Sequence, residues 1–252
     1  MTPAEGTDFS LSPAAVRRRP TAYTDRMRCV PLGDQAVLVY LADEPAAVRF
    51  AAAVRAANPP WLFDVVPAYA SAGVFFDADR IRTADVVAWL EALPPPGGST
   101  GSRPPALPAR SFCVPVCYEM QLDLARVCET TGLTADDVIR LHTATAYTVY
   151  AIGFVPGFPY LGYLPDALCG VGRLPSPRVR VEPGSVGLTG RQTGIYPLAR
   201  PGGWNLIGKT PLTVVDPAGG FFPLRAGDAV RFARVDERRF RELEGERLAG
   251  VG

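Results

Sequence analysis

Two functional side chains are nearly missing from this 252-residue sequence: it has one histidine, His142, and one lysine, Lys209, among 26 basic residues. Without His142 no Ser-His-Asp triad can be assembled, and no G-x-S-x-G elbow occurs, which disfavours stand-alone serine hydrolase chemistry. Also missing is any apolar run near the roughly 18 to 20 residues that a membrane-spanning helix requires. Strong charge is lacking too: a formal net charge of +1 gives no pull towards nucleic acid or an acidic membrane surface. The cysteines, Cys29, Cys113, Cys117, Cys128 and Cys169, are odd in number and include no C-x-x-C pair, so neither a disulfide framework nor a zinc ribbon follows. Cys113 and Cys117 read as small core residues, no metal site is expected, and a reducing cytoplasm is the expected home. The basic cluster Arg17-Arg18-Arg19 precedes no apolar stretch, so residues 1–26 read as a disordered arm rather than a secretory signal. Met27 is the expected translation start.

What is present is enough apolar residue, 48%, to fill two modest cores. The run Val37-Leu38-Val39-Tyr40-Leu41 predicts a strand after the turn-like Gly33-Asp34. Ala47, Phe50, Ala51 and Val54 then repeat at i, i+3, i+4 and i+7, a helix laid on a sheet and ended by Asn58-Pro59-Pro60. Residues 62–67 and 72–76 read as a hairpin. A second helix follows, with Thr83 as N-cap and the stripe Val86, Trp89, Leu90, Leu93. Residues 94–108, rich in Pro, Gly and Ser, read as a mobile linker, and 111–118 as a further strand. The order β-α-β-β-α-β is that of a ferredoxin-like unit over residues 27–108.

Short helices are expected at 123–131, closed by Gly132, and after Thr134, where Thr134-Ala135-Asp136-Asp137 fits a capping box. Of the 25 glycines, 14 lie between Gly153 and Gly220, which rules out long helices there. Short apolar runs at 149–154, 186–188, 205–207, 212–215 and 229–232 predict a small closed β-barrel over residues 109–235. A charged helix at 236–248 begins the closing segment, 236–252.

Gly203-Trp204-Asn205-Leu206-Ile207-Gly208-Lys209-Thr210 satisfies the P-loop pattern G-x-x-x-x-G-K-[ST]. Such a loop needs a helix after it to cradle phosphate, and Pro211 followed by Leu212-Thr213-Val214-Val215 leaves no room for one, so the string reads as strand. Residues 170–210 hold six basic side chains, Arg173, Arg178, Arg180, Arg191, Arg200 and Lys209, against the single acid Glu182. They suit either a carboxylate or carboxy-phosphate site, or a solvated or partner-facing surface. Lys209 is a weak catalytic candidate, because an ammonium standing alone among arginines suggests a role that a guanidinium does not fill. His142 has the pKa of a general base, but its place beside Val138 and Ile139 on a helix favours a packed histidine. Phe154, Phe158, Tyr160, Tyr163, Tyr196 and Trp204 alternate with Gly and Pro, as an aromatic cleft, a subunit contact or barrel core would.

Several long strings carry a resemblance: His142-Thr143-Ala144, the run from Tyr147 through Gly153-Phe154-Val155-Pro156-Gly157-Phe158-Pro159-Tyr160-Leu161-Gly162, Pro177-Arg178, Pro183-Gly184-Ser185-Val186, Gln192-Thr193-Gly194-Ile195-Tyr196-Pro197, and Pro201-Gly202-Gly203-Trp204 through Pro211. The chain resembles the allophanate hydrolase subunit 1 family, which includes the 5-oxoprolinase subunit PxpB and the kinase inhibitor KipI. The resemblance implies an N-terminal α/β domain followed by a cyclophilin-like β-barrel. It implies partners of the subunit 2 or PxpC type and of the PxpA type, in ATP-dependent opening of 5-oxoproline to glutamate. Urea or allophanate chemistry is the family's other enzymatic association, and a KipI-like clamp on a sensor histidine kinase is the non-enzymatic alternative. ATP would be consumed by the complex rather than bound by this chain alone. Residue chemistry within the matched motifs makes Arg178, Arg191, Gln192, Tyr196 and Lys209 the expected contacts for a small anionic amide.

Overall fold

A computed structural model describes residues 27–93 and 110–251. The arm expected over 1–26 and the linker expected over 94–108 lie outside the described residues. Strands β1 (Arg28–Pro31) and β2 (Ala36–Tyr40) form an antiparallel hairpin whose turn holds Gly33 at φ +69°, a conformation that favours glycine. Helix α1 (Glu44–Ala57) starts where the Asp43 carboxylate accepts the Ala46 N–H at 2.7 Å and stops at Asn58, which is left-handed. The expected stripe Ala47, Phe50, Ala51 and Val54 is its buried face. Strands β3 (Leu62–Ala68) and β4 (Ser71–Phe76) form the expected hairpin, followed by helix α2 (Thr83–Glu91). The cap at α2 is a correction: Thr83 is already helical, and Arg82 stands at the cap position with its guanidinium on Asp85.

The remaining elements are β5 (Ser111–Val116), α3 (Leu124–Thr131), α4 (Ala135–Ala144), β6 (Ala146–Ile152), β7 (Pro159–Gly162), β8 (Arg178–Val181), β9 (Ser185–Thr189), β10 (Gln192–Ile195), β11 (Arg200–Gly202), β12 (Asn205–Lys209), β13 (Ala229–Arg234), α5 (Glu237–Leu243) and β14 (Gly250–Val251). Thr134 caps α4 as expected, its hydroxyl accepting the Asp137 N–H, and Gly132 ends α3 in the left-handed region. Helix α5 stops short of the expected 248, ahead of Gly245 at φ +85°.

The fold is mixed α/β on a mostly antiparallel sheet of twelve strands, with β5 and β13 the parallel pair; β8 and β11 form a separate ribbon. Two pairings differ from expectation. The N-terminal strands run β1-β2-β4-β3, so β4 lies between β2 and β3 as in a split βαβ unit. The position beside β2, where a ferredoxin-like unit puts its fourth strand, is taken by β1. Strand β5 instead joins β13 and β14 in the C-terminal half. The expected closed barrel is also corrected. From β5 the path runs β13-β6-β7-β10-β9-β12, and its two ends meet only at the isolated bridge Cys117↔Lys209, not along a ladder. Residues 212–215, expected as a strand, form none: Val214 and Val215 are buried from a loop, with Thr213 bridging Arg247.

Apolar packing divides into separate cores. One, under α1 and α2, gathers Val37, Val39, Phe50, Val54, Val65, Val74, Phe76, Val86 and Leu90. The larger lies among the C-terminal strands, α3 and α4, and reaches Leu248 near the chain's end. The sheet passes between the halves at one pair, Ala68↔Ala151. Among the described residues no helix is long and apolar enough to cross a membrane.

Candidate functional site

A third, small cluster sits apart from both cores: Phe158, Tyr196 and Trp204, with Val181 and Leu206. Its rings meet edge to face. Phe158 lies 5.2 Å from Tyr196 and 5.4 Å from Trp204 between centroids, and Tyr160 lies 5.0 Å from Phe158. The strands explain the grouping, because Pro159–Gly162 pairs with Gln192–Ile195 and brings the two Gly/Pro-punctuated aromatic runs together. Glycine makes the close approach possible: a Cβ at Gly202 would overlap the Tyr196 ring, and one at Gly194 would press on the Pro159 carbonyl, Phe158 and Trp204. One side of this cluster opens as a pocket of about 290 Å³, walled by Phe154, Phe158, Tyr160, Tyr196, Trp204, Arg173, Pro177 and the Pro201-Gly202-Gly203 turn.

Phe154 stands at the lip, 59% exposed and with a left-handed backbone at φ +68°. An exposed aromatic in that conformation costs free energy twice, through strain and through lost burial, a combination that gathers at functional sites. Arg173 is the one charged residue of the lining. It is exposed and has no carboxylate partner among the described residues. Its positive field reaches three tyrosines. Burial raises the Tyr160 hydroxyl pKa with Arg173 opposing, and burial likewise raises Tyr196 against the Trp204 backbone N–H and Arg173. Tyr69, pushed up to about 12 chiefly by burial, feels Arg173 as well as the Gln192 amide.

Of the five substrate contacts proposed from sequence, Arg178, Arg191, Gln192, Tyr196 and Lys209, Tyr196 alone lines this pocket, while Phe154, Phe158, Tyr160 and Trp204 of the expected aromatic cleft line it too. Arg178 turns to Asp123: one terminal nitrogen donates at 2.6 Å, while its other, Nη1, is buried with no partner among the described residues. Asp123 in turn accepts the Leu206 N–H at 2.7 Å, so the pair pins α3 to β12. Arg191 lies over the Tyr163 ring, 4.5 Å from its centroid, and Tyr163 donates to Glu44. The Gln192 amide donates to Tyr69. Arg191 and Gln192 thus sit at the seam between the halves, not in the cleft. Lys209 is half-buried at the Cys117 bridge. The P-loop-like string is strand β12, and turns rather than a helix follow it.

His142 is fully buried, stacked 4.4 Å from Phe232. Thr193 donates its hydroxyl proton to the Gly187 carbonyl, so it accepts from His142 Nε2 at 2.9 Å; Nδ1 is then the acceptor for the Tyr118 hydroxyl at 2.6 Å. Burial drives the imidazole pKa down to about 3. Neither nitrogen is open to a substrate. Among the described residues no group of three or more His, Cys, Asp or Glu is placed to hold a metal ion. Arg173, which carries the pocket's charge, is one of six in the basic cluster, and nothing in its local sequence sets it apart. Its distinction is its place in the pocket wall, whereas neighbouring Arg178 is drawn away to Asp123, 55 residues distant in the chain.

The family model for the carboxyltransferase domain, subdomain C and D, matches residues 27–220. The chain belongs to this family. It is 35% identical over 248 residues to the B-type subunit of 5-oxoprolinase from Bacillus subtilis (strain 168), covering 88% of this chain and 99% of the relative. Over 116 residues it is 51% identical to the corresponding 5-oxoprolinase subunit of Escherichia coli O157:H7, 46% of this chain and 53% of that one. The resemblance carried by residues 142–211 therefore stands. Among solved structures, TTHA0988 superposes with a TM-score of 0.69 at 36% identity, covering 80% of this chain; the chain spans only 40% of TTHA0988. The urea amidolyase of K. lactis, 16% identical with a TM-score of 0.64 over 89% of this chain and 16% of its own length, shares the fold.

Proposed function

We propose that this chain is the PxpB-type component of an ATP-dependent 5-oxoprolinase, acting with partners of the PxpC and PxpA types to open 5-oxoproline to glutamate. The observation that carries this reading is the match to the B-type 5-oxoprolinase subunit of Bacillus subtilis along 99% of its length. The site supports it chemically: a compact aromatic pocket with one unpaired guanidinium suits a small monoanionic amide better than a polyphosphate. In this reading the chain is inactive alone, ATP is bound by its partners, and no metal is held here. The five thiols are free, as a cytoplasmic protein's would be. The same reading extends to architecture. Residues 27–93 form a ferredoxin-like unit in which β1 replaces the fourth strand. Residues 110–235 form a cyclophilin-like sheet whose two ends meet at the Cys117↔Lys209 bridge, and 236–251 add its closing helix and last strand.

The test is reconstitution. The chain is purified alone and with its presumed partners, and 5-oxoproline-dependent ATP hydrolysis is measured with glutamate release. Activity confined to the full set is the expected result. Failure of every combination, with inhibition of a sensor kinase's autophosphorylation by this chain, would overturn the enzymatic reading.

A further inference from the structure

We propose that the pocket beneath Phe154 binds the substrate's ring, and that Arg173 holds its carboxylate. The ligand class is a small five- or six-membered ring bearing one carboxylate and a hydrogen-bonding carbonyl. The naming of 5-oxoproline as the member to try rests on the function proposed above.

Three observations carry the assignment. First, the size: about 290 Å³ lies at the small end of the roughly 300–1,000 Å³ of ligand pockets, room for one ring and its substituents but not for a nucleotide. Second, the charge: Arg173 is the single cation of the lining and has no acid to neutralise it, whereas neighbouring Arg178 is committed to Asp123 and Arg180 to Glu182. One free guanidinium matches one carboxylate through two parallel N–H···O bonds. Third, the polar edges: Tyr160 and Tyr196 both line the pocket, and each hydroxyl has a proton to donate. Those two donors can meet a ring carbonyl while Phe158 and Trp204 cover its faces. Phe154, held in its strained conformation at the lip, closes the apolar side. Carboxylate at the mouth and ring against the aromatics give one orientation, with the ring amide turned towards the tyrosine hydroxyls.

The experiment follows the indole N–H resonance of Trp204 in the isotope-labelled full chain, assigned through Trp204→Phe, during titration with 5-oxoproline and with 2-pyrrolidinone, the same ring without its carboxylate. Saturable binding of 5-oxoproline is expected, at least about tenfold tighter than 2-pyrrolidinone, and Arg173→Gln should remove that preference without lowering the melting temperature, because Arg173 is exposed and unpaired. No saturable shift with the wild-type chain, equal affinity for the two rings, or an unchanged preference in Arg173→Gln would each overturn the proposal. In the reconstituted complex Arg173→Gln should raise KM for 5-oxoproline at least about tenfold. An active complex with unchanged KM sinks the pocket and leaves the function standing. An inactive wild-type complex whose isolated PxpB-type chain still binds 5-oxoproline through Arg173 sinks the function and leaves the pocket.

Discussion

His142 shows how one buried side chain can carry a pH dependence with no catalytic part. The imidazole is neutral in the fold and hydrogen-bonded at both nitrogens, while in the unfolded chain it titrates near 6.5. The folded pKa lies below the unfolded one, so the unfolded state binds the extra proton first, and stability is lost as pH falls below 6.5 towards about 3. Between pH 8 and pH 5 the expected loss is about 2 kcal/mol, from the proton taken up by the unfolded chain alone. Because His142 is the sole histidine, the difference between wild type and a His142→Gln variant in urea midpoints at the two pH values isolates it. The His142→Gln variant should start less stable and lose less stability across that window than wild type, and an equal slope in both proteins would contradict the assignment. The same residue marks what the chain's local pattern reveals. Its helix neighbours Val138 and Ile139 indicate burial, yet the Tyr118 and Thr193 hydroxyls that fix its tautomer come from 24 and 51 residues away.

Elements defined by local periodicity were readable, and those defined by distant pairing were not. The stripe of α1, the Thr134 cap and the hairpin β3–β4 depend on residues within one or two turns of each other. The parallel pairing of β5 with β13 joins strands more than a hundred residues apart, and nothing in either strand's alternation names its neighbour. Residues 212–215 misled because a buried loop can be as β-branched and apolar as a strand. In the site, alternation with Gly and Pro pointed to the aromatics, while which arginine joins them required knowing which strands and loops fold together. The P-loop-like string shows the point for a single glycine. A Cβ on Gly208 would come within 2.6 Å of Val116 Cγ1 and 3.1 Å of the Cys117 carbonyl, so this glycine exists for the approach of β12 to the end of β5. Gly208→Ala should cost about 1–3 kcal/mol of stability through overpacking. Gly203→Ala, whose Cβ meets Pro177 at an ordinary 3.7 Å, should stay within about 0.5 kcal/mol of wild type. Thermal melts of both variants check this, and equal stability of Gly208→Ala and wild type would refute the packing role.

Across the whole molecule, two apolar cores share a thin and largely polar seam. Backbone continuity there amounts to the pair Ala68↔Ala151 and the Tyr69 N–H donated to the Tyr150 carbonyl at 3.3 Å. Side chains add Tyr163 to Glu44, with Arg191 over the Tyr163 ring, and Gln192 to Tyr69. Tyr69 also sets its ring edge-on to Tyr160, 6.1 Å between centroids, which ties the seam to the pocket wall. Each neutral hydrogen bond is worth about 1 kcal/mol net and one to a carboxylate about 1.5–3, so a few bonds couple the halves. Wild-type protein should therefore melt in a single transition by calorimetry. Gln192→Ala or Tyr163→Phe alone should lower the melting temperature by a few degrees, because the remaining contact still couples the cores. The double variant removes both side-chain hydrogen bonds across the seam while leaving each core intact, so its transition should broaden or split into two, the criterion for lost two-state behaviour. One sharp transition at the wild-type temperature in the double variant would mean that the backbone pairing and the ring contacts join the halves without these hydrogen bonds. Because Tyr69 braces Tyr160, the same variant should also weaken ligand binding in the pocket although neither altered residue lines it.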